Sequence, residues 1–184
     1  MSAPRPAGFE TRAVHAGQPP DPRTGAVVPP ISLATTFAQP AVGEPLAFEY
    51  SRSANPTRAA LETCLAELEG ARHGYCFASG LAAEDAVLHL LAPGDHVIIP
   101  DDAYGGTFRL IGGVHGSRGI EHTAVQMGDR AAVASAWRPS TKMVWVETPS
   151  NPLLDIVDIA AVGAATRQRG GWVVVDNTFA TPYL

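Results

Sequence analysis

Cysteine and lysine are scarce in this sequence of 184 residues. The two cysteines, Cys64 and Cys76, form no CxxC pair, and no histidine and cysteine residues cluster at the spacing of metal ligands. The sequence therefore predicts neither a disulfide framework nor a bound metal, and it favours a reducing compartment. The single lysine is Lys142.

An excess of basic charge and long apolar runs are also missing. The chain has 13 Lys and Arg against 18 Asp and Glu, a formal net charge of -5. It lacks the positive field that would attract nucleic acid or an anionic membrane surface. No apolar run reaches the length of a bilayer span, and the first residues do not resemble a signal peptide. We expect a soluble cytoplasmic protein with neither nucleic acid nor membrane as a partner.

Proline is concentrated at the start of the chain, where nine of the 16 prolines fall within the first 45 residues. This density predicts no regular helix there and disfavours a buried strand. We interpret residues 1–54 as an extended arm. A disordered tail is the alternative, but Ile31, Leu33 and Phe37 are more apolar than a solvated tail needs. An arm lying on another surface, such as a second subunit, is favoured.

The pattern changes at Asn55, which can cap a helix that begins with Pro56 and ends near Gly70. Beyond it, short apolar runs alternate with helical patterns. The runs are residues 75–78, 97–99, 123–126, 143–146 and 172–175, and the helical stretches are residues 80–91, 129–137 and 156–169. This alternation predicts an α/β fold, a mostly parallel sheet with helices on both faces. Because such a sheet normally continues with more strands, we expect residues 55–184 to be the first part of a larger domain.

Ligands of open parallel sheets collect at the carboxyl ends of the strands. After the first predicted strand, Ser79, Gly80 and Leu81 open a helix whose free amides could hold a phosphate, although this is also an ordinary helix start. After the second predicted strand, Tyr104 precedes two glycines and could stack on a flat ring, or simply pack in a surface turn.

Two later strands end in polar residues with more specific chemistry. Asn151 lies in a turn with two prolines and can donate a hydrogen bond to a phenolate-like oxygen. Asp176 ends an apolar run, where a carboxylate needs a cationic partner such as a protonated pyridine nitrogen. A ribose-binding aspartate is the competing interpretation, but the GxGxxG turn that it requires is absent from the sequence.

Together these segments resemble the cysteine and methionine metabolism family of pyridoxal-phosphate enzymes. Five signatures, in matching order and spacing, carry the resemblance: residues 50–57, 79–83, 102–107, 147–152 and 176–183. Residues 11–17 and 29–31 of the arm resemble the same family. The resemblance implies the first part of a fold-type I transferase-like domain and pyridoxal 5'-phosphate as cofactor.

The resemblance also implies individual roles. Gly80 and Leu81, next to Ser79, would hold the phosphate; Tyr104 would stack on the ring and act in catalysis; Asp176 would pair with the ring nitrogen. Asn151 would lie near the ring hydroxyl and Thr178 would support the ring, while Arg109 would contact substrate. Tyr50 and Arg52 would reach the phosphate of a neighbouring subunit in a homo-oligomer, a dimer of dimers with shared sites.

The family's cofactor-linking lysine lies in a Ser-x-Thr-Lys motif that this sequence does not contain. Lys142 precedes the apolar run at residues 143–146, which predicts that it lies at the opposite end of the strand from the site. We expect γ-elimination on cystathionine, a sulfur amino acid, by the complete protein, and no catalysis by residues 1–184 alone. γ-Replacement, as in cystathionine γ-synthase, is the alternative. A non-catalytic fragment that binds cofactor or a partner is the alternative from another class.

Overall fold

A computed structural model describes residues 7–184, which divide into two compact units. The first comprises the described residues up to Cys76 together with Tyr183, and the second Phe77–Pro182 with Leu184. Among the described residues, no helix combines the length and the apolar character that crossing a membrane requires.

The first unit contains two helices, α1 (Phe9–His15) and α2 (Pro56–Leu68). The prediction that the start of the chain holds no regular helix is wrong for α1, because no proline falls between residues 7 and 18. Helix α2 begins as predicted, since the Asn55 side chain accepts a hydrogen bond from the Thr57 N–H at 2.9 Å and Pro56 needs no acceptor.

The chain between α1 and α2 is irregular, with turns, bends and isolated bridges. It is fastened to α2 where the Ser32 N–H donates to the Thr57 hydroxyl at 2.8 Å. Large apolar side chains are exposed along it, with Ile31 80% and Leu33 89% exposed. The extended arm over residues 1–54 stays a prediction.

The second unit is built on four parallel strands in the order β2-β1-β3-β4. Its elements are α3 (Gly80–Leu88), β1 (His96–Pro100), α4 (Gly105–Arg109), a π-helix (Leu110–His115), β2 (Glu121–Val125), α5 (Arg130–Ala136), β3 (Thr141–Glu147), α6 (Ile159–Gln168) and β4 (Trp172–Asp176). The predicted α/β fold with a mostly parallel sheet is confirmed.

Side chains of the central strands alternate between two apolar cores, one on each face of the sheet. Ile99 and Trp145 belong to the core that also contains residues of α3 and the π-helix. Ile98 and Val146 belong to the other core, together with residues of α5 and α6. Both faces are therefore covered, which explains why these strands are continuous apolar runs.

One local prediction differs from the structure. Residues 75–78 form no strand, and Tyr75 is 75% exposed, so this apolar run packs against no neighbouring strand. The glycine-rich stretch after α4 continues that helix as a π-helix. Its last residue, His115, is buried, and its Nε2 lies 2.8 Å from Asp85 Oδ1 on α3. This contact anchors the end of the π-helix.

Candidate cofactor site

The second unit has a cleft of about 320 Å³ at the carboxyl end of its sheet. It is formed by the start of α3 and by the segments that follow β1, β3 and β4. Its lining residues are Ser79, Gly80, Leu81, Glu84, Tyr104, Glu147, Pro149, Asn151, Asp176, Thr178 and Phe179. The volume falls within the range of small-molecule sites, about 300–1,000 Å³.

The first turn of α3 lines part of the cleft. The Ser79 hydroxyl caps the helix by accepting the Ala82 N–H at 3.1 Å. The N–H groups of Gly80 and Leu81 donate to no acceptor within residues 7–184. A Cβ at Gly80 would have no atom within 4 Å, so the approach to these amides is open. Two free amides at the positive end of a helix fit a phosphate group.

Tyr104 stands beside the cleft at the start of α4. Its side chain is 42% exposed, and its N–H donates to Glu147 Oε2 at 2.7 Å. A Cβ at Gly106 would collide with the Tyr104 ring, which explains the glycine there. The glycine thus lets the ring lie close over its own helix, with one side left accessible to a flat ligand.

The end of β4 supplies the carboxylate of Asp176, whose partner in the β3–β4 register is Glu147. Asp176 Oδ1 accepts the hydroxyl of Thr178 at 2.5 Å and its N–H at 3.1 Å. Asp176 Oδ2 has no hydrogen-bond partner among the described residues. That oxygen is available to a ligand donor such as a protonated ring nitrogen.

The cleft concentrates negative charge in Glu84, Glu147 and Asp176, and none of its lining residues is Lys, Arg or His. Burial raises the pKa of Glu84, and the negative charges of Asp176 and Glu147 raise it further. Burial likewise raises the pKa of Glu147, while the N–H groups of Tyr104 and Asn151 oppose that shift. A cationic group on a ligand would be stabilised in these surroundings.

Seven predicted site residues are brought together in the cleft. They are Ser79, Gly80, Leu81, Tyr104, Asn151, Asp176 and Thr178. Arg109 is exposed at the end of α4 and does not line the cleft. Tyr50 and Arg52 lie in the first unit, where the Arg52 guanidinium is 5.0 Å from the centroid of the Tyr50 ring. Their predicted reach to a neighbouring subunit's phosphate stays a prediction.

Lys142 lies near the start of β3, five residues before Glu147. At 3.3 Å per residue the two are about 16 Å apart along the strand. Lys142 does not line the cleft, in agreement with its predicted place at the other end of β3.

Two glutamates of the cleft, Glu84 and Glu147, were not predicted from the sequence, and both are at least nine-tenths buried. Glu84 Oε2 has no hydrogen-bond partner within residues 7–184, nor does the buried hydroxyl of Thr107 beside it. Glu147 lies inside the 147–152 signature. It directly follows the apolar run at residues 143–146, as Asp176 follows residues 172–175, so the pattern that indicated Asp176 could also have indicated Glu147. Glu84 gives no such signal, because helices commonly carry glutamate on a solvated face.

A larger groove of about 450 Å³ lies between α5 and α6. Alanine and valine line much of it, together with Arg130, Trp137 and Arg169, and it contains no predicted site residue. The polar residues with ligand chemistry converge in the smaller cleft.

The fold and this cleft define an α/β cofactor-binding unit that fits a flat, cationic ring carrying a phosphate. Pyridoxal phosphate has these features: the Gly80 and Leu81 amides suit its phosphate, and Asp176 Oδ2 suits its ring nitrogen.

Comparison with known proteins agrees with this chemistry. The family model for Cys/Met metabolism PLP-dependent enzymes matches residues 10–184. The chain belongs to this family, whose cofactor is pyridoxal phosphate.

The cystathionine gamma-synthase of Mycobacterium tuberculosis is 53% identical over 96% of this chain and 46% of its own length. The cystathionine beta-lyase of Coxiella burnetii is 50% identical over 96% of this chain and 46% of its own. A crystal structure of cystathionine gamma-lyase from Lactobacillus plantarum, complexed with L-serine, superposes with a TM-score of 0.91 at 47% identity, covering 96% of this chain and 46% of that one. The chain spans about half the length of the curated relatives it matches.

Proposed function

We propose that the whole protein uses pyridoxal phosphate to act on the bond between sulfur and the γ-carbon of cystathionine. The observation that carries the proposal is that one cleft combines free amides at the start of α3 with the Asp176 carboxylate at the end of β4. The names of the relatives supply the substrate class, because synthase and lyases alike are named for cystathionine.

Each cleft residue has a task in this proposal. The Gly80 and Leu81 amides hold the phosphate, and the Tyr104 ring covers one side of the cofactor. The Asp176 carboxylate keeps a proton on the ring nitrogen, held in place by Thr178. With that proton in place, bound pyridoxal phosphate supplies an electron sink for the reacting amino acid. Asn151 lies in the adjoining segment, where its side-chain amide can donate to the ring hydroxyl.

γ-Elimination is the first candidate, in which cystathionine and water give cysteine, a 2-keto acid and ammonia. γ-Replacement is the second, and the 53% identity to a cystathionine gamma-synthase favours it. The whole protein should be assayed for release of keto acid from cystathionine, and separately for cystathionine formation from cysteine and a homoserine ester. A protein loaded with cofactor that catalyses neither reaction would refute the proposal.

Asp176 provides the sharpest test of the site. Asp176→Ala should bind pyridoxal phosphate yet lose most turnover, because the ring nitrogen loses its proton-holding partner. Asp158 is a matched control, since its carboxylate accepts a backbone N–H of α6 at 2.9 Å and lies outside the cleft lining. Asp158→Ala should lower stability and leave turnover per folded molecule unchanged. Near-normal turnover in Asp176→Ala would contradict the assignment.

We also propose that the protein is a homo-oligomer with shared active sites. The exposed apolar side chains of the arm support this, because Ile31 and Leu33 need a surface to cover them. Arg52→Ala and Asp176→Ala would each inactivate a different half of a shared site. Mixing the two inactive proteins should restore part of the activity through hybrid oligomers. Confirmed subunit exchange without any recovery would contradict shared sites.

A further inference from the structure

Glu147 joins the two segments that carry predicted ring-binding residues. It is the last residue of β3 and is 4% exposed. Its Oε2 accepts the N–H of Tyr104 at 2.7 Å, and its Oε1 accepts the N–H of Asn151 at 2.9 Å. One carboxylate therefore fixes the start of α4 and the turn after β3 at a defined separation.

The bridge uses one side-chain oxygen for each N–H. Glutamine could replace only one of these acceptors, because its amide nitrogen is a donor and would face the second N–H. Aspartate is one methylene shorter and could not keep both distances. The position thus requires a carboxylate with the reach of glutamate.

The charge of Glu147 agrees with a holding role. Burial and the neighbouring Asp176 and Asp102 raise its pKa, whereas the two N–H donors favour the ionised form. The two backbone N–H donors offset the cost of burying this carboxylate at the end of a strand.

We propose that Glu147 is a positioning residue that holds Tyr104 and Asn151 in register against the cofactor ring. This role rests on the proposed site, because it requires that Tyr104 and Asn151 contact the cofactor ring.

Hydrogen exchange in the cofactor-free protein tests the bridge without any ligand. Glu147→Gln should raise the exchange rate of the Tyr104 or the Asn151 amide about tenfold or more, because one N–H loses a charged acceptor. Glu62 is a matched control, since its Oε1 also accepts a backbone N–H, that of Cys76 at 3.0 Å. Glu62→Gln should leave both amides unchanged. Unchanged exchange at both amides in Glu147→Gln would overturn the proposal.

Cofactor affinity, measured by fluorescence titration with pyridoxal phosphate, separates positioning from general destabilisation. Glu147→Gln should weaken binding about tenfold, the scale of a lost aromatic contact. In a Tyr104→Ala background the same substitution should cost about twofold or less, because no ring remains to be positioned. Equal losses in both backgrounds would overturn the positioning role.

The binding titrations distinguish a failure of the proposed site from a failure of the role proposed for Glu147. A wild-type protein that does not bind pyridoxal phosphate would refute both the site and this role for Glu147. A wild type that binds normally, with equal affinity in Glu147→Gln, would refute the role alone.

Discussion

Replacing Glu84 with glutamine should stabilise the cofactor-free protein at neutral pH. Glu84 is 9% exposed, and its Oε2 has no partner among the described residues. The hydroxyl of Thr107 lies near enough to favour the ionised form but outside hydrogen-bond geometry. A glutamine amide could donate to that hydroxyl and carries no charge, so it removes the cost of burying a carboxylate.

The sign of the pH dependence follows from the raised pKa of Glu84. Its contribution to stability is fully present below its ordinary value of 4.5 and is lost as the pH rises through the pKa of the folded state. The difference in unfolding free energy between Glu84→Gln and wild type should therefore grow as the pH rises from about 4 to 8. An unsatisfied buried group costs about 1–3 kcal/mol, and each kcal/mol moves Tm by about 2–4 °C at this chain length.

Thermal unfolding followed by circular dichroism at several pH values would measure this difference. Glu69→Gln is the control, because Glu69 is exposed at the end of α2 and its replacement should give a nearly pH-independent difference. A Glu84→Gln variant that is less stable than wild type at pH 7, or a difference that does not change with pH, would refute the reasoning.

Two further predictions concern the framework of the second unit. Leu88→Ala should lower the unfolding free energy, measured by denaturant titration, by about 2–5 kcal/mol, because Leu88 is 0% exposed. Leu90 is 63% exposed, so Leu90→Ala should lower it by less than about 0.5 kcal/mol. Asp85→Asn should lower Tm at pH 7, because the hydrogen bond from His115 lowers the pKa of Asp85 and so stabilises the folded protein when Asp85 is ionised. This stabilisation is lost as the pH falls through the folded-state pKa, so the Tm of the variant should approach that of wild type in acid. A Tm difference that persists unchanged at pH 3 would contradict this account of Asp85.

The sheet could be predicted because its strands are buried on both faces. Residues 97–99 and 143–146 are unbroken apolar runs, and such runs followed by polar residues are typical of parallel strands. The same rule predicted that Tyr104, Asn151 and Asp176 lie together, since they follow the strand ends and line one cleft.

The errors arose where local pattern and tertiary context disagree. The apolar run at residues 75–78 resembles a strand, but a strand forms only where another strand pairs with it, and the local pattern does not show whether one does. Proline density averaged over 45 residues hid the proline-free stretch that forms α1. Glu84 occupies a helix position that elsewhere faces solvent, and only its packing near Thr107 makes it a buried acid. For residues 75–78 and for Glu84, the deciding contact lies outside the segment that carries the pattern.

The register of β3 and β4 explains how neighbouring carboxylates at the tip of the sheet can have different tasks. Glu147 and Asp176 are paired residues, so their side chains lie on the same face and repel each other as anions. Both oxygens of Glu147 accept backbone N–H groups, which hold its carboxylate between Tyr104 and Asn151. Oδ1 of Asp176 accepts both hydrogen bonds from Thr178, and Oδ2 accepts none from the described residues. A ligand cation beside Asp176 would relieve the repulsion, and so binding a protonated ring should lower the pKa of Glu147 and strengthen its hold on Tyr104 and Asn151.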